Sequence, residues 1–361
     1  MNQSANQYYQ SHQKLSFIGQ RGQSMLSNSK VLVIGAGGLG CPCLQYLAGC
    51  GIKIIGVADF DTVAVSNLHR QTLFTIDDVG LLKTRVAVKK LQQQNPFITL
   101  MEDTGFVNEE NILSLLKNYD VIVDATDNFG TRYLINDACV LLNKPLVYGA
   151  IHKSEGHVTV FNYLQSATLR CLFPESTNNN SIPGCTDIGA YNITTGIIGV
   201  MMANEVVKIV TQNENVLAGQ LFCIEVIGGK TKKIHFTSLP DSRQKSIRRF
   251  ENEDQSFEID PALLWQKINN EEALQLIDVR DEAERRQKHI GGIHIPVSQF
   301  TDHFPLLLHH QMTVLYCQHG NRSSAAVAAL REQGIKNIYS LQGGIHYFLQ
   351  QYPHFIYPQN V

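Results

Sequence analysis

Cys317 opens the stretch Cys317-Gln318-His319-Gly320-Asn321-Arg322-Ser323, directly after the apolar run Thr313–Tyr316. A cysteine between a strand and a helix lies where consecutive backbone N–H groups form a concavity for an anion, and the helix N-terminus adds to that field. The same field favours the thiolate, the nucleophilic form of the side chain. Gly, Asn, Arg and Ser around a thiol suit a reactive cysteine better than a buried inert one. Far upstream, Gly35–Gly40 reads GAGGLG. Gly35, Gly37, Gly38 and Gly40 permit the tight turn from strand to helix through which an anionic phosphate can reach the helix N-terminus. One end of the chain is therefore suited to a nucleotide and the other to a reactive cysteine. Activation chemistry coupled to group transfer follows, with sulfur as the group transferred.

Residues after the glycine motif narrow the nucleotide. Asp59 ends the second apolar run, 24 residues after Gly35, where a carboxylate can accept hydrogen bonds from ribose hydroxyls. Glycines and Asp59 alone would favour a dinucleotide. Asn67-Leu68-His69-Arg70-Gln71 and Lys83 then bring cations and amides just after the crossover. Asp124-Ala125-Thr126-Asp127-Asn128 follows a strand, which puts Asp127 at the carboxyl edge of a sheet. Hydride transfer has no use for this set. Phosphoryl or nucleotidyl transfer does, because Arg70 and Lys83 can neutralise a triphosphate and Asp127 can hold Mg²⁺, an oxygen-seeking ion.

These residues need a scaffold, and the chain supplies an α/β one. Lys30–Gly35 and Lys53–Asp59 are strands flanking a helical stretch, Cys41–Cys50, which is the βαβ opening of a doubly wound sheet. Tyr119–Ala125 and Pro145–Ala150 are further strands with the helical Thr131–Leu142 between them. His157–Phe161, the loop-rich Pro174–Gly189 and a long helix over Thr194–Val210 follow. The polar stretch 238–256, SLPDSRQKSIRRFENEDQS, reads as a linker between an N-terminal domain over 1–237 and a second over 257–361. In the second, Leu274–Val279, Thr313–Cys317 and Ile338–Ser340 are strands and Ser323–Gln333 is a helix. At 361 residues the chain has room for two cores. A net charge of −2 does not favour tight nucleic-acid binding, no apolar run reaches transmembrane length, and the polar start does not read as a signal peptide. Eight cysteines without a CxxC pair fit a reducing, cytosolic compartment better than a disulfide framework.

GAGGLG, the DFD of Asp59–Asp61, NLHRQ, Lys83, DATDN, TRYLINDAC over Thr131–Cys139 and RCLFPE over Arg170–Glu175 together resemble the molybdopterin-synthase and thiamine sulfur-carrier adenylyltransferases, the bacterial relatives of ubiquitin-activating enzymes. The resemblance covers about residues 9–236. It implies a Rossmann-like adenylation domain in which Asp59 holds the ribose, Asn67, Arg70 and Lys83 the phosphates, and Asp127 the magnesium. It further implies a homodimer that adenylates the C-terminal glycine of a small ubiquitin-fold sulfur carrier ending in Gly-Gly. Residues 257–361 resemble a rhodanese domain through Ile277-Asp278-Val279-Arg280, the HIGGIHIP run over His289–Pro296, the Cys317 loop and LQGGI over Leu341–Ile345. Cysteine phosphatases encircle phosphate with Cys-x5-Arg, whereas Cys-x4-Arg here suits a persulfide sulfur. In that resemblance Cys317 becomes the persulfide, Arg322 orients the loop and attracts a sulfur-bearing anion, and Asp278 and Arg280 support the fold.

Two departures matter. The family commonly holds a structural zinc with two CxxC pairs, but the first pair falls here on Thr168 and Cys171, and Leu239–Arg249 contains no cysteine. A four-cysteine zinc site cannot be built, so no zinc is expected. The N-terminal arginine that reaches the partner's triphosphate is replaced by Ser11, with Lys14 and Arg21 as nearby cations. Cys185 matches a cysteine that in some relatives links covalently to the carrier, and a plain loop cysteine is the competing reading. The expected cofactors are ATP and Mg²⁺, and the expected partners are the carrier and a sulfur or persulfide donor, without nucleic acid or membrane. A rhodanese with a weak or inactive adenylation domain is the alternative. A NAD(P)-dependent oxidoreductase is disfavoured by NLHRQ, Lys83 and Asp127.

Overall fold

The computed structural model describes residues 3–174, 189–251, 257–299, 312–335 and 337–355. They divide into two units, the first running through Glu251 and the second starting beyond it.

Short helices α1 (Gln3–Tyr8), α2 (Gln10–Gln13) and α3 (Gly19–Leu26) precede β1 (Lys30–Ile34). The order then is α4 (Gly40–Cys50), β2 (Ile54–Ala58), α5 (Lys83–Gln94), β3 (Thr99–Asp103), α6 (Ile112–Lys117), β4 (Val121–Asp124), α7 (Phe129–Leu141) and β5 (Leu146–His152). β1 and β4 are buried on successive residues because helices cover both faces of the parallel sheet, so they read as unbroken apolar runs. The unit continues through β6 (Glu155–Phe161), α8 (Leu169–Leu172), α9 (Asn192–Val210), β7 (Gln220–Glu225), β8 (Lys230–His235) and α10 (Ser242–Glu251).

The eight strands lie in the order β3-β2-β1-β4-β5-β6-β7-β8. Strands β3 to β5 are parallel, and β5 to β8 are joined antiparallel. The chain winds outward from β1 to β3 and returns to place β4 on the other side of β1. That reversal opens a crevice at the carboxyl ends of β1 and β4, where open α/β sheets bind ligands. α9 is long and apolar enough to cross a bilayer by composition alone, but it packs on α4, β5 and β6 as a core helix of this unit. β8, at the other end of the sheet, is exposed along its whole length, KTKKIH.

The expected linker over 238–256 is corrected by α10, which packs against α7. Arg243 donates to Asn162 Oδ1 at 2.7 Å and to the Ser166 carbonyl at 2.8 Å. Ser246 Oγ accepts from Asn136 at 3.3 Å, and Arg249 pairs with Glu109 at 2.8 Å and Asp137 at 3.5 Å. Asp137 is also held bidentately by Arg170 at 2.8 and 2.6 Å, which ties α7, α8 and α10 together. The segment looked like a linker because polar contacts, rather than a wide apolar stripe, attach it. The first unit therefore extends to Glu251, and residues 252–256 lie outside the described residues.

The second unit contains β9 (Glu258–Ile259), α11 (Pro261–Asn269), β10 (Leu274–Asp278), α12 (Glu282–Gln287), β11 (Ile293–His294), β12 (Met312–Tyr316), α13 (Asn321–Glu332), β13 (Ile338–Leu341) and α14 (Gly344–Gln351). Its five strands are all parallel in the order β11-β10-β12-β13-β9, with β12 in the middle. Asp278 at the end of β10 pairs bidentately with Arg280 at 2.9 and 2.8 Å, and both side chains are buried. Removing Asp278 would strand the buried Arg280 charge, a loss on the order of 3–5 kcal/mol, whereas Arg285 at 3.4 Å would still face Asp278 if Arg280 were removed.

Candidate functional site

The glycine turn is built at the switch point. Gly35 takes φ +98°, and a Cβ there would lie 2.7 Å from the Ala125 carbonyl oxygen. At Gly40 a Cβ would fall 1.9 Å from the Gly35 carbonyl oxygen, so α4 can begin there only with glycine. Gly37 and Gly38 are different: a Cβ would stand 3.8 Å from Gln71 Nε2 and 3.6 Å from Arg70 Cδ, respectively. Arg70 and Gln71 thus lie beside the glycine loop. Thr195, in the first turn of α9, approaches the Gly38 position to 3.2 Å.

Carboxylates and cations gather around this turn. Asp59 Oδ2 accepts from the Ala36 N–H at 2.7 Å and Oδ1 from the Asp61 N–H at 2.8 Å, so its carboxylate is fixed against the loop. Lys83 begins α5, is 4% exposed, and donates to Asp61 at 2.9 Å. Burial raises the Asp59 carboxyl above its ordinary value; the Lys83 charge opposes this and Asp61 adds to it. Burial lowers the Lys83 ammonium, but the nearby Asp59 and Asp61 outweigh it and leave the group above its ordinary value. Arg70 is half-buried and donates to the Ser66 carbonyl at 3.2 Å. Asn67 ends a short 3-10 turn, Val65–Asn67, that leads into Arg70.

Asp127 is exposed at the carboxyl end of β4. Its segment is braced from both sides. Asp124 Oδ1 accepts from the Thr126 N–H at 3.0 Å and hydroxyl at 2.6 Å, and Asn128 caps α7 by accepting from the Thr131 N–H at 2.8 Å. Arg132, buried in the first turns of α7, donates to the Thr126 carbonyl at 2.6 Å, the Tyr148 hydroxyl at 2.8 Å and the Gly149 carbonyl at 3.3 Å. Burial raises the Asp124 carboxyl, with Arg132 and Thr126 opposing. An exposed carboxylate on a braced loop beside a phosphate turn suits Mg²⁺. Sequence reasoning missed Arg132 and Asp61 as site residues. Asp61 was visible in the DFD motif, whereas a buried arginine within a helix has no periodic signature.

The other candidate lies at the carboxyl end of β12. Cys317 is 1% exposed, and Ser323 Oγ approaches its Sγ at 3.5 Å. Ser323 is itself bonded by Ser340 at 2.8 Å and donates to the Gly320 carbonyl at 3.0 Å. Gly320 takes φ +91° and caps α13. The LQGG segment closes the loop from below, because the Ile345 and His346 N–H groups donate to the Cys317 and Gln318 carbonyls at 2.9 and 3.0 Å. A Cβ at Gly344, φ +62°, would stand 2.5 Å from the Cys317 carbonyl oxygen and 2.6 Å from the Gly320 nitrogen. Arg280 reaches Gln318 Oε1 at 3.1 Å. Arg322 grips Glu284, which burial opposes less than that hydrogen bond favours, so the Glu284 carboxyl is held below its ordinary value by Arg322 first. Glu284 was not picked out from the sequence.

A profile of the ThiF family matches residues 9–246, which include every nucleotide-site residue described. The chain belongs to the ThiF family. A rhodanese-like domain profile matches residues 260–351, the part that carries Cys317. The chain is 36% identical over 362 aligned residues to the probable adenylyltransferase/sulfurtransferase MoeZ of Mycobacterium tuberculosis, covering 93% of this chain and 91% of that one. It is 50% identical over 211 residues to the adenylyltransferase and sulfurtransferase MOCS3 of Anopheles gambiae, which is 58% of this chain. That stretch is 48% of the relative, so the match spans about half its length. The E. coli MccB crystal structure with ATP has the same fold, with a TM-score of 0.57 and 23% identity over 65% of this chain and 73% of that one.

Of the cysteine pairs that the family resemblance implies for a zinc, this chain keeps Cys171. Cys171, Thr168, Leu239 and Ser242 do converge, although their sequence positions are far apart. Cys171 Sγ accepts from the Thr168 and Leu239 N–H groups at 3.3 Å each and donates to Ser242 Oγ at 3.1 Å. One thiol cannot make a tetrahedral four-thiolate site. Among the described residues no three His, Cys, Asp or Glu side chains gather as a metal cluster. Thr168, Cys171, Leu239 and Ser242 do not make up a four-thiolate zinc set. Burial raises the Cys171 thiol, but bonds with Ser242, Thr168 and the Leu239 N–H outweigh it and leave the thiol below its ordinary value. Ser11 lies in α2, and both Lys14 and Arg21 are exposed. Cys185 lies outside the described residues.

Proposed function

We propose that this chain uses ATP and Mg²⁺ to adenylate the C-terminal glycine of a ubiquitin-fold sulfur carrier ending in Gly-Gly, and then delivers sulfur to it from a Cys317 persulfide. The observation that carries the first half is the convergence of Arg70, the Lys83–Asp61–Asp59 group and the Asp127 loop on one glycine turn at the switch point. Names of full-length relatives that couple adenylyltransferase and sulfurtransferase support joining the two halves.

The carrier carboxylate is already ionised and needs no general base. Its oxygen attacks the α-phosphorus, the bond to the bridging oxygen breaks, and pyrophosphate leaves with that electron pair. Arg70 and Lys83 neutralise the leaving group, Asp59 holds the ribose, Asn67 takes a phosphate oxygen, and Asp127 would hold a magnesium ion, which would supply further charge neutralisation. The Cys317 persulfide then attacks the acyl adenylate and AMP departs, leaving an acyl disulfide from which a further thiol frees the thiocarboxylate. The Ile345 and His346 N–H groups fix the Cys317 and Gln318 carbonyls, and Arg280 fixes the Gln318 side chain, while the persulfide on Cys317 attacks. Cys185 is the sequence candidate for a covalent or assisting thiol. A homodimer, a cytoplasmic location, no zinc, and a place in molybdopterin- or thiamine-type thiolation belong to the same proposal.

The test is carrier-dependent ATP–pyrophosphate exchange, with Asp127→Ala as control. Exchange that disappears in the variant supports the adenylating half. No exchange with several Gly-Gly carriers refutes it and leaves the second reading, a sulfurtransferase with an inactive nucleotide domain, which Ser11 in place of an arginine favours.

A further inference from the structure

The arginine of the Cys317 loop already has a counter-charge. Arg322 Nη1 and Nη2 donate to the two Glu284 oxygens at 2.7 and 2.5 Å, and Asp281 stands 3.9 Å away. Glu284 is held for this role from its other side: it completes the capping box of α12, where Glu284 Oε2 also accepts from the Asp281 N–H at 3.1 Å. The neighbouring guanidinium of Arg280 is buried against Asp278, and Arg285 reaches the same carboxylate at 3.4 Å. A fork-on-fork pair occupies two parallel donors of a planar guanidinium, so an incoming anion must displace a carboxylate to use them.

This bears on the sulfur donor. Thiosulfate is a dianion, and a second negative charge approaching a thiolate needs a free cation. A persulfide carries less charge and does not. We infer that Glu284 is a positioning residue that sets donor choice, holding Arg322 away from small dianionic donors and leaving Cys317 to donors that carry sulfur as a persulfide. The inference rests on the sulfur-transfer reading of Cys317. With thiosulfate, the Cys317 thiolate attacks the outer sulfur, the sulfur–sulfur bond of the donor breaks, and sulfite leaves with the bonding pair. Cyanide then takes the outer sulfur as thiocyanate and restores the thiolate. Charge and electrons balance in both steps without an added oxidant or reductant.

The full chain is assayed for thiocyanate formation from thiosulfate and cyanide at low ionic strength, and for sulfur transfer to cyanide from cysteine persulfide. Glu284→Gln removes one negative charge beside Arg322. Against a dianion several ångströms away in a water-like dielectric, the expected drop in KM for thiosulfate is about three- to tenfold, fading with added salt. The kcat stays within about twofold, and kcat/KM for cysteine persulfide does not change beyond that either. Asp281→Asn, on the exposed side of Arg322, gives a smaller change of the same sign and serves if Glu284→Gln fails to fold. Glu284→Asp keeps the parental preference, and adding Arg322→Gln to Glu284→Gln cancels the gain. An unchanged or raised KM for thiosulfate in folded Glu284→Gln overturns the inference while leaving the sulfurtransferase reading in place. Undiminished thiocyanate formation by Cys317→Ser would overturn that reading itself.

Discussion

Replacing Cys171 by alanine probes how the C-terminal helix of the nucleotide unit is held. The substitution leaves the Thr168 and Leu239 N–H groups without their sulfur acceptor and takes one partner from Ser242, which keeps its bond to the Leu239 carbonyl at 3.0 Å. Cys171 is itself only half-buried, although Thr168 and Ser242 are buried, so water replaces part of what is lost, and sulfur is a weak acceptor. The expected cost is about 1–2 kcal/mol, or roughly 2–8 °C in the melting temperature of a unit this size. Crossing Cys171→Ala with Ser242→Ala in a double-mutant cycle gives a coupling of about 0.5–1.5 kcal/mol. Because the folded thiol lies below its ordinary value, its stabilisation is full above the unfolded thiol range and is lost as pH falls through the folded value. The penalty is therefore larger at pH 9 than at pH 6, by differential scanning fluorimetry at both values. A chelator leaves the wild-type transition unmoved. Zinc at one equivalent in the purified chain, or a chelator-induced drop in melting temperature with cleavage before α10, would refute the reasoning, since structural zinc contributes on the order of 10 kcal/mol.

Gly344→Ala forces a Cβ into the Cys317 and Gly320 backbone at a positive φ, so sulfur transfer to cyanide falls more than about tenfold while pyrophosphate exchange is unaffected. Arg132→Lys cannot bridge the Thr126 carbonyl, the Tyr148 hydroxyl and the Gly149 carbonyl together; pyrophosphate exchange drops about tenfold or more, with a larger effect on the Mg²⁺ requirement than on carrier KM. Lys83→Met deprives Asp59 and Asp61 of their cation. Binding of a fluorescent ATP analogue that depends on ionised Asp59 then fails at a higher pH than in wild type, because the Asp59 carboxyl is pushed further up.

The two-domain α/β architecture and the motif residues were legible because parallel strands buried on both faces announce themselves as apolar runs, as in Val31–Ile34 and Val121–Asp124. GAGGLG told where the turn would be because no other residue fits at Gly35 and Gly40. The attachment of α10 was not legible. Arg243, Ser246 and Arg249 look like solvated surface until their partners at Asn162, Asn136 and Glu109 are placed in space. The same holds for Arg132 and Glu284, whose roles depend on neighbours distant in sequence. Polar residues that act through long-range pairing leave no local period, so sequence patterns find the thiol and the glycines but not what holds them.

β8 closes the large sheet as an outer strand with both faces open to solvent, and Lys230, Lys232 and Lys233 are carried on it. An unpaired strand edge of that kind is a template for another strand. The clustered ammonium groups make self-pairing costly, since a second copy laid alongside would bring like charges together. Resistance to self-pairing thus falls to three lysines that lie outside the glycine turn of their unit. Replacing them with uncharged residues would preserve the chemistry of the molecule and expose it to aggregation.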